Sequence, residues 1–345
     1  MLKFQDFHVY DLLNECRTNN GYKIAKDSFF GESLDATTMA LDLKFMIDGT
    51  VPAQSDIDFI NKHQEPSPGL YQEFATHRID EGNYRNLEMS AVYLTYHVSM
   101  LFLRFDLKTE YDFLFLKDFA SQKYIDYFME EFVPWNNSTM GSGNIIDHYV
   151  SALRVLANSR PEFGVAIERI YQCLEKKESK EHGFYGAMNA QGLNGLVQGG
   201  YHLLRGTYFY DKLPVSEVEK KIDTLIGSYK SLSGAIFQNG QGEGCHDMDH
   251  FLLLQKLHAV SDYRVNEIIM IAEERLDQIL SSRTNGVNGF AFNLSHSIQN
   301  HNRYNVTNGS IQGDLVGTVF YLQTIKSLAD ILGEQVNWQD SIIHG

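Results

Sequence analysis

The feature that most constrains the fold is an alternation of two kinds of helical segment, separated by glycine–aromatic turns. Segments of the first kind are amphipathic, with apolar residues at positions i, i+3, i+4 and i+7, which is the helical period. They occupy residues 55–64, 165–177, 216–230 and 265–283. The glycine–aromatic turns that follow them lie at 69–71, 183–185, 234–237 and 289–292. We call these amphipathic segments the outer helices.

Segments of the second kind are apolar on most of their circumference, and we call them the inner helices. They are predicted at residues 33–47, 87–103, 144–158, 195–210, 246–260 and 313–332. A helix that is apolar all round is buried on all sides. The unit of inner helix, connection and outer helix recurs about six times at a spacing of roughly 50 residues. The least regular outer helix, 121–133, ends at Pro134-Trp135 instead of a glycine turn.

The sequence contains no sustained alternation of polar and apolar residues of the kind that strands need. Helical units that cannot bury their apolar faces alone do so by packing against their neighbours. We therefore predict an all-α protein with the (α/α)6 toroid fold, a closed barrel of six inner and six outer helices. We predict that residues 1–345 form this single domain.

Polar residues occupy the first turns of the inner helices, and a closed ring would bring them to one mouth of a central cavity. Those that we predict to bind substrate or to act in catalysis are Asp35, Glu88, Asp147, His148, Asp247, Asp249 and Asp314. The alternative interpretation is that the acids are helix caps, because helix starts present unpaired N–H groups and a positive dipole end. Both interpretations stay open from the sequence.

The densest of these first turns lies in residues 241–258, QGEGCHDMDHFLLLQKLH. Buried titratable side chains are costly unless they are paired or used, so we predict chemistry here. Asp247 or Asp249 would be a general acid with a pKa raised by burial, and His250 would orient it. A structural Asp–His pair is the alternative. Cys245 with these residues has the chemistry of a divalent metal site, but the spacing matches no strong zinc pattern, and we predict no cofactor.

Two further groups are candidates for the site. His202, predicted to be catalytic, follows Tyr201 and two glycines in an inner helix, and Asp147 precedes His148 in another. A Tyr/His pair suits β-elimination of a uronate or stabilisation of a carbocation, and the alternative is a hydrogen-bonded core histidine. The polar loop 293–313 is predicted to bind substrate, or else to be a solvated connection. Its candidate side chains are His296, His301, Arg303 and Tyr304.

Composition excludes several classes of partner. The chain has 29 Lys and Arg against 44 Asp and Glu, a formal net charge of −15, which argues against nucleic acid and anionic membranes. The three cysteines lie far apart, as in a reducing compartment. The N-terminal segment is not a signal peptide, and no run approaches the roughly 18 apolar residues of a membrane span. We predict a cytoplasmic protein, and its oligomeric state is unknown.

The segment SLDATTMALDLKFMI followed by QEPSPGLYQEF, with the turns at 183–185 and 289–292, resembles the terpenoid cyclase/protein prenyltransferase α-α toroid superfamily. Class II cyclases of that superfamily carry an Asp-x-Asp-Asp acid motif. Asp247-Met248-Asp249-His250 has its first two aspartates, with histidine in place of the third. The same barrel is used by polysaccharide lyases and by unsaturated-glucuronyl hydrolases.

Three functions follow as expectations. The first, which we place ahead of the second, is an isoprenoid cyclase-like enzyme in which a buried aspartate protonates the substrate, favoured by an aromatic content of 12% and by the Asp-x-Asp turn. The second is a glycan-acting lyase or glycosidase, favoured by the polar loop and by a length that suits one toroid. The third is a non-catalytic toroid that binds a partner. The expected ligand is therefore a small-molecule isoprenoid or an oligosaccharide.

Overall fold

The structure is a computed structural model, and it describes residues 2–73, 89–188, 192–232, 244–283, 286–301 and 304–345. Over these ranges the chain is mostly helical, which confirms the prediction of an all-α protein. Parts of the sequence prediction lie outside the described residues. They are Glu88, Arg303, the side chain of Tyr304, the glycine turn at 234–237 and residues 241–243 of the segment 241–258.

The described residues form twelve α-helices. They are α1 (Val9–Cys16), α2 (Leu34–Asp48), α3 (Gln54–Asn61), α4 (Met89–Phe105), α5 (Gln122–Tyr127), α6 (Thr139–Ala157), α7 (Pro161–Leu174), α8 (Gly192–Leu204), α9 (Val218–Leu232), α10 (Gly244–His258), α11 (Val265–Ser282) and α12 (Leu315–Ile331). Short 3-10 segments span Phe4–Phe7 and Leu114–Ala120, and π-helical turns, Phe128–Phe132 and Arg205–Phe209, continue α5 and α8. Two short strands, β1 (Asn300–His301) and β2 (Tyr304–Asn305), pair antiparallel.

These helices lie where the period of apolar residues predicts them, except α1, for which no helix is predicted. The inner helices are α2, α4, α6, α8, α10 and α12, and the outer helices include α3, α5, α7, α9 and α11. Among the predicted helices the largest difference is at α6, which begins at Thr139 and so includes residues predicted to precede it. Its earlier start has a local cause, because the Ser138 hydroxyl accepts a hydrogen bond from the Gly141 N–H at 3.0 Å and caps the helix.

Burial separates the two kinds of helix as expected. The outer helix α7 buries one face, with Phe163, Ala166, Ile167 and Ile170 inside, while Val165 is exposed. The inner helix α12 buries nearly its whole circumference, polar residues included. Because the two patterns alternate along the chain, the apolar stripe of each outer helix has an apolar inner helix to cover.

The chain divides into two compact units. One unit comprises Met1–Phe59 and Leu225–Gly345, in which α12 packs against α1, α2, α10 and α11. The other unit comprises Ile60–Thr224, in which α6 packs against α4, α7 and α8. The single domain and the closed ring of twelve helices stay predictions.

The glycine–aromatic turns have the backbone that their composition predicts. Gly69, Gly183 and Gly289 have φ angles of +89°, +76° and +69°, which non-glycine residues rarely adopt. The aromatic residue that follows each glycine is buried. Single antiparallel bridges close two of the turns, Gln64 with Tyr71 and Glu178 with Tyr185. Each bridge spans the same number of residues, so the sequence repeat is also a repeat of local structure.

No helix within the described ranges combines the length and the apolar character that crossing a bilayer requires.

Candidate active site

Two inner helices of the Ile60–Thr224 unit cross at backbone contact. A Cβ atom on Gly143 of α6 would overlap the carbonyl oxygen of Gly199 of α8. A Cβ atom on Gly199 would in turn overlap the carbonyl oxygen of Thr139. The small residues at these positions therefore allow α6 and α8 to approach more closely than helices with larger side chains do.

The two helices also run in the same direction. Going from the start to the end of α6, Asp147 lies against Gly206, and Arg154 then reaches Asp211 with an Nη1–Oδ1 distance of 2.7 Å. Both partners follow Gly199 in the same order along the chain. Parallel packing places polar residues in the first half of α6 beside those in the first half of α8.

Rings from three neighbouring helices meet in the same unit, and we call them the imidazole cluster. Its members are Tyr93, Tyr96 and His97 of α4, His148 of α6, and Tyr201 and His202 of α8. The ring of His148 stacks on that of Tyr96 with centroids 5.0 Å apart, and the centroid of His202 lies 6.5 Å from that of His148. The cluster thus contains three of the predicted residues, Tyr201, His148 and His202.

Asp147 lies next to the cluster and holds two of its neighbours. Its Oδ2 accepts a hydrogen bond from Arg205 and lies 3.3 Å from His202 Nδ1. The Arg205 guanidinium also lies over the rings of Tyr96 and Tyr201, at 4.3 and 5.3 Å from their centroids. In the tautomer with its proton on Nδ1, His202 donates to Asp147 and keeps the lone pair on Nε2. Asp147 is therefore placed to orient His202 as a proton acceptor.

Burial keeps the imidazoles neutral. It lowers the pKa of His202 to about 3, although 14% of this side chain is exposed. Burial also lowers the pKa of His148 well below its usual value, and the neighbouring His202 and His97 lower it further. Both rings are uncharged at neutral pH, so each can exchange hydrogen bonds with a ligand, while the low pKa makes each a weak base in the absence of a ligand.

Several buried polar atoms beside the cluster have no hydrogen-bond partner within the described residues. They are both ring nitrogens of His148, both amide atoms of Gln198, and Oδ1 of Asn144. Asn144 precedes His148 by one helical turn, and Gln198 precedes His202 by one turn, so each pair shares a helix face. Leaving such an atom unpaired costs roughly 1–3 kcal/mol. These atoms lie in a row along two parallel helices and can bond to water or to a polar ligand.

Asp247 lies in the other unit and is engaged in a bidentate ion pair. Arg275 Nε and Nη2 donate to its two carboxylate oxygens at 2.7 and 2.6 Å, and the Tyr321 hydroxyl lies 3.3 Å from Oδ2. Both members of the ion pair are fully buried. Both oxygens of this carboxylate are therefore engaged by the guanidinium. The geometry favours a structural role for this residue over the predicted role of general acid.

The neighbours of Asp247 on α10 are buried as well. Asp249 is 1% exposed, and the centroid of the His250 ring lies 6.0 Å from that of Tyr229. Burial, together with the charge of Arg275, lowers the pKa of His250 to about 3. Across the described ranges, no group of three or more His, Cys, Asp or Glu side chains is arranged to hold a metal ion.

Asp314 caps a helix, as the alternative interpretation of the polar first turns has it. Its Oδ1 accepts from the Gly317 N–H at 2.6 Å at the start of α12. Its Oδ2 accepts from the N–H groups of Phe292 and Ile298, at 2.8 and 3.0 Å. Burial raises the pKa of Asp314 to about 6 although these hydrogen bonds lower it. The residue therefore links the beginning of the 293–313 loop to α12.

Asp35 and His301 are brought together from distant parts of the sequence. The cap of α2 is Ser33, whose hydroxyl accepts from the Ala36 N–H at 3.1 Å, and Asp35 instead pairs with His301 of β1. The predicted loop residue His296 has local partners, the side chains of Asn293 and Ser295. Tyr304 is paired with His301 in the two-stranded sheet.

A groove of about 800 Å³ lies in the Ile60–Thr224 unit, and we call it the Trp135 groove. It is formed where the outer helices end and where the segments leading to α6 and α8 begin. Its lining includes Glu130, Glu131, Trp135, Asn136, Asn137, Lys177, Ser179, Glu181, His182 and Met188. The sequence marks this place only by Pro134-Trp135, where the glycine turn is missing.

Six residues of the site are missing from the predicted set, namely Tyr93, Tyr96, His97, Asn144, Gln198 and Arg205. His97 follows Tyr93 by one turn in an inner helix, which is the spacing that also joins Gln198 to His202. Arg205 lies beyond the first turns and enters the site through the π-helical turn that continues α8. The spacing of His97 is thus visible in the sequence, whereas the place of Arg205 in the site depends on the tertiary fold.

No protein-family model matches this chain, and no curated protein matches it either.

Proposed function

We propose that the chain is a glycan-acting enzyme and that the imidazole cluster is its active site. The observation that carries this proposal is the row of buried, unpartnered polar atoms on His148, Gln198 and Asn144 beside aromatic rings. Sugar hydroxyls donate and accept hydrogen bonds, as an amide and a neutral imidazole do. An isoprenoid would leave these atoms unpaired at a cost of roughly 1–3 kcal/mol each.

Of the two glycan-directed reactions, elimination suits the site better than hydrolysis does. Hydrolysis usually requires two carboxyl groups on opposite sides of the bond that breaks. The carboxylate described beside the cluster is Asp147, and it is engaged by Arg205. Elimination requires one base and one proton donor, which an imidazole and a phenol supply. We therefore propose a lyase that acts on a uronate-containing glycan.

In the proposed reaction, Nε2 of His202 removes the proton from the carbon that bears the uronate carboxylate. The electron pair of that C–H bond forms the new carbon–carbon double bond, and the glycosidic C–O bond breaks. A cluster phenol, for which we propose the partly exposed Tyr93, protonates the leaving oxygen. A substrate carboxylate near His202 would stabilise the imidazolium, which raises the low pKa of this residue when substrate binds.

The proposal is tested with a panel of uronate-containing and neutral oligosaccharides. Elimination gives new reducing ends together with the ultraviolet absorbance of the unsaturated product, whereas hydrolysis gives new reducing ends without that absorbance. His202→Asn keeps a donor toward Asp147 but removes Nε2, so we expect a loss of turnover of about 10²–10⁴-fold. The matched control is His8→Asn, whose side chain is 59% exposed. Unchanged turnover in His202→Asn would exclude this residue as the base.

The cyclase function is the second candidate, and one observation favours it. Asp249 is deeply buried in α10, where the rings of Tyr229 and Phe251 also pack, with centroids 6.0 Å apart. Asp249 would be the acid, because Asp247 is held by Arg275. If isoprenoid substrates are turned over, Asp249→Asn should abolish the activity. Equal turnover in Asp249→Asn would remove this candidate.

We further propose that the helices close into the (α/α)6 toroid. The alternation of inner and outer helices and the parallel packing of α6 with α8 support it. The closed ring requires α8 and α10 to be neighbours, with axes about 8–10 Å apart. Spin labels on Asn194→Cys and His246→Cys, with the native cysteines replaced by serine, should then lie within roughly 25 Å of each other. A much longer distance by dipolar spectroscopy would contradict the ring.

A further inference from the structure

The Trp135 groove has a fixed floor. The Trp135 indole N–H donates to the Met129 carbonyl at 2.6 Å, and the side chain is 6% exposed. The Trp135 carbonyl oxygen accepts from the Ala187 N–H, and Gly186 lies so close to this oxygen that a Cβ atom there would be 2.8 Å from it. The loop that leads to α8 is therefore attached to the segment that leads to α6.

The groove opens at the same end of the two helices as the polar row of the active site. Asn136 and Asn137 come directly before Ser138, the cap of α6, and Met188 precedes the start of α8. The hydroxyl of Thr139, the first residue of α6, is buried and has no hydrogen-bond partner within the described residues. Along the chain, this hydroxyl lies between the lining residue Asn137 and the polar row, which begins at Asn144.

The lining combines side chains that commonly bind sugars with an excess of negative charge. Exposed amides of Asn136 and Asn137 and the apolar side chain of Met188 suit the hydroxyls and C–H faces of a sugar. Three carboxylates, on Glu130, Glu131 and Glu181, face one ammonium, and that ammonium is bonded to Glu130 at 2.6 Å. Burial lowers the pKa of His182, so this residue adds no positive charge at neutral pH.

We propose that the Trp135 groove binds the sugar units that flank the reacting uronate, and that it selects neutral or amino sugars there. This inference rests on the proposed function. A chain of consecutive uronates would place its carboxylates against those of Glu131 and Glu181, and like charges held close together repel each other. The substrate class is thus a glycan with isolated uronates between neutral or amino sugar units.

The experiment uses the His202→Asn protein, so that binding is measured without turnover. The probes are tetramers of glucosamine, N-acetylglucosamine and galacturonate. The chain has two tryptophans, so an ¹⁵N spectrum shows two indole signals, and Trp338 serves as the internal control. We expect the first two tetramers to shift the Trp135 signal but not the Trp338 signal, and we expect galacturonate to shift neither.

Charge removal tests the selectivity separately. Glu131→Gln and Glu181→Gln should each weaken glucosamine binding by about two- to fivefold and leave N-acetylglucosamine binding unchanged. Glu162→Gln, an exposed change outside the groove, should alter neither. Galacturonate binding as tight as that of glucosamine, or a Trp135 signal insensitive to all three probes, would overturn the inference. Selective binding without lyase turnover in the unmodified protein would support the groove and contradict the proposed function.

Discussion

At the scale of single residues, two buried acids of the inner helices each form an ion pair with an arginine. Asp247 is matched by Arg275 of α11, and Asp147 by Arg205 at the end of α8. A buried charge without a partner is costly, and a close guanidinium offsets that cost. The two acids differ in what else they touch, because Asp147 also contacts His202. Only Asp147 therefore joins an ion pair to a titratable ring of the proposed active site.

The first prediction concerns the ion pair of Asp247. Asp247→Asn leaves the Arg275 guanidinium buried without its counter-charge, so the free energy of unfolding should fall by about 3–5 kcal/mol. Urea denaturation followed by circular dichroism measures this change. Asp262→Asn, an exposed change, is the control and should be nearly neutral.

A double variant separates pairing from catalysis. Replacing both partners, Asp247→Leu with Arg275→Leu, removes the unpaired charge and should recover most of the lost stability. If Asp247→Asn were as stable as the parent chain yet inactive, the structural role that we assign to Asp247 would be wrong.

At the scale of helices and turns, glycines set the distances between elements. Gly199 allows α8 to contact the backbone of α6 at Thr139, and Gly164 of α7 faces open space. Both glycines lie inside helices, where alanine is intrinsically preferred by about 1 kcal/mol. The same substitution should therefore have opposite effects at the two positions.

The second prediction compares these two glycines. Gly199→Ala should force α6 and α8 apart, destabilise the protein by about 1–3 kcal/mol and disturb the imidazole cluster. Gly164→Ala should stabilise it by about 0.5–1 kcal/mol. Thermal unfolding measures both changes. A stabilising Gly199→Ala would contradict the close helix contact.

The third prediction concerns the glycine–aromatic turns. Alanine at Gly69 would have an unfavourable left-handed backbone and would overlap the carbonyl oxygen of Asp112, so a loss of roughly 2–4 kcal/mol is expected. Gly333 has a similar φ of +68° but open space around it, so Gly333→Ala should cost only about 1 kcal/mol. Chemical denaturation of the two variants, measured side by side, gives the steric contribution at Gly69 as the difference between their losses of stability. Equal losses would show that backbone strain alone accounts for the turn.

At the scale of the whole molecule, buried titratable groups make stability depend on pH in two opposing ways. Burial lowers the pKa of His202 and His250 to about 3, so the unfolded chain binds protons below about pH 6.5 that the folded chain does not. These groups destabilise the protein as the pH falls from 6.5 toward 3. Burial raises the pKa of Asp42 and Asp314 to about 6, so these groups stabilise it as the pH falls from 6 toward 4.

The fourth prediction uses these opposite signs. Each group changes the free energy of unfolding by about 1.4 kcal/mol per pH unit within its window. Between pH 6 and 4, His250→Gln should therefore make the protein less sensitive to acid than the parent chain is. Asp42→Asn should make it more sensitive. Denaturation curves at half-unit pH intervals give both slopes, and identical slopes in all three proteins would contradict the buried titrations.

The helices and their turns could be predicted from the sequence because their causes are local. A 3.6-residue period of apolar side chains shows which face is buried, and a glycine before a buried aromatic residue shows where the chain reverses. The inner helices and the described turns lie where these patterns place them. The exact start of α6 differs because one serine hydroxyl, at Ser138, caps the helix earlier than the apolar pattern begins.

The roles of the polar residues were decided by tertiary structure, because each role depends on a partner that is distant in sequence. The dense first turn predicts a proton donor at Asp247, and Arg275, 28 residues later, engages its carboxylate in an ion pair. Asp147 and His202 are 55 residues apart and meet because Gly143 and Gly199 let two helices touch. Sequence alone therefore determines which residues are polar within buried helices, and packing determines which of them are paired and which can meet a ligand.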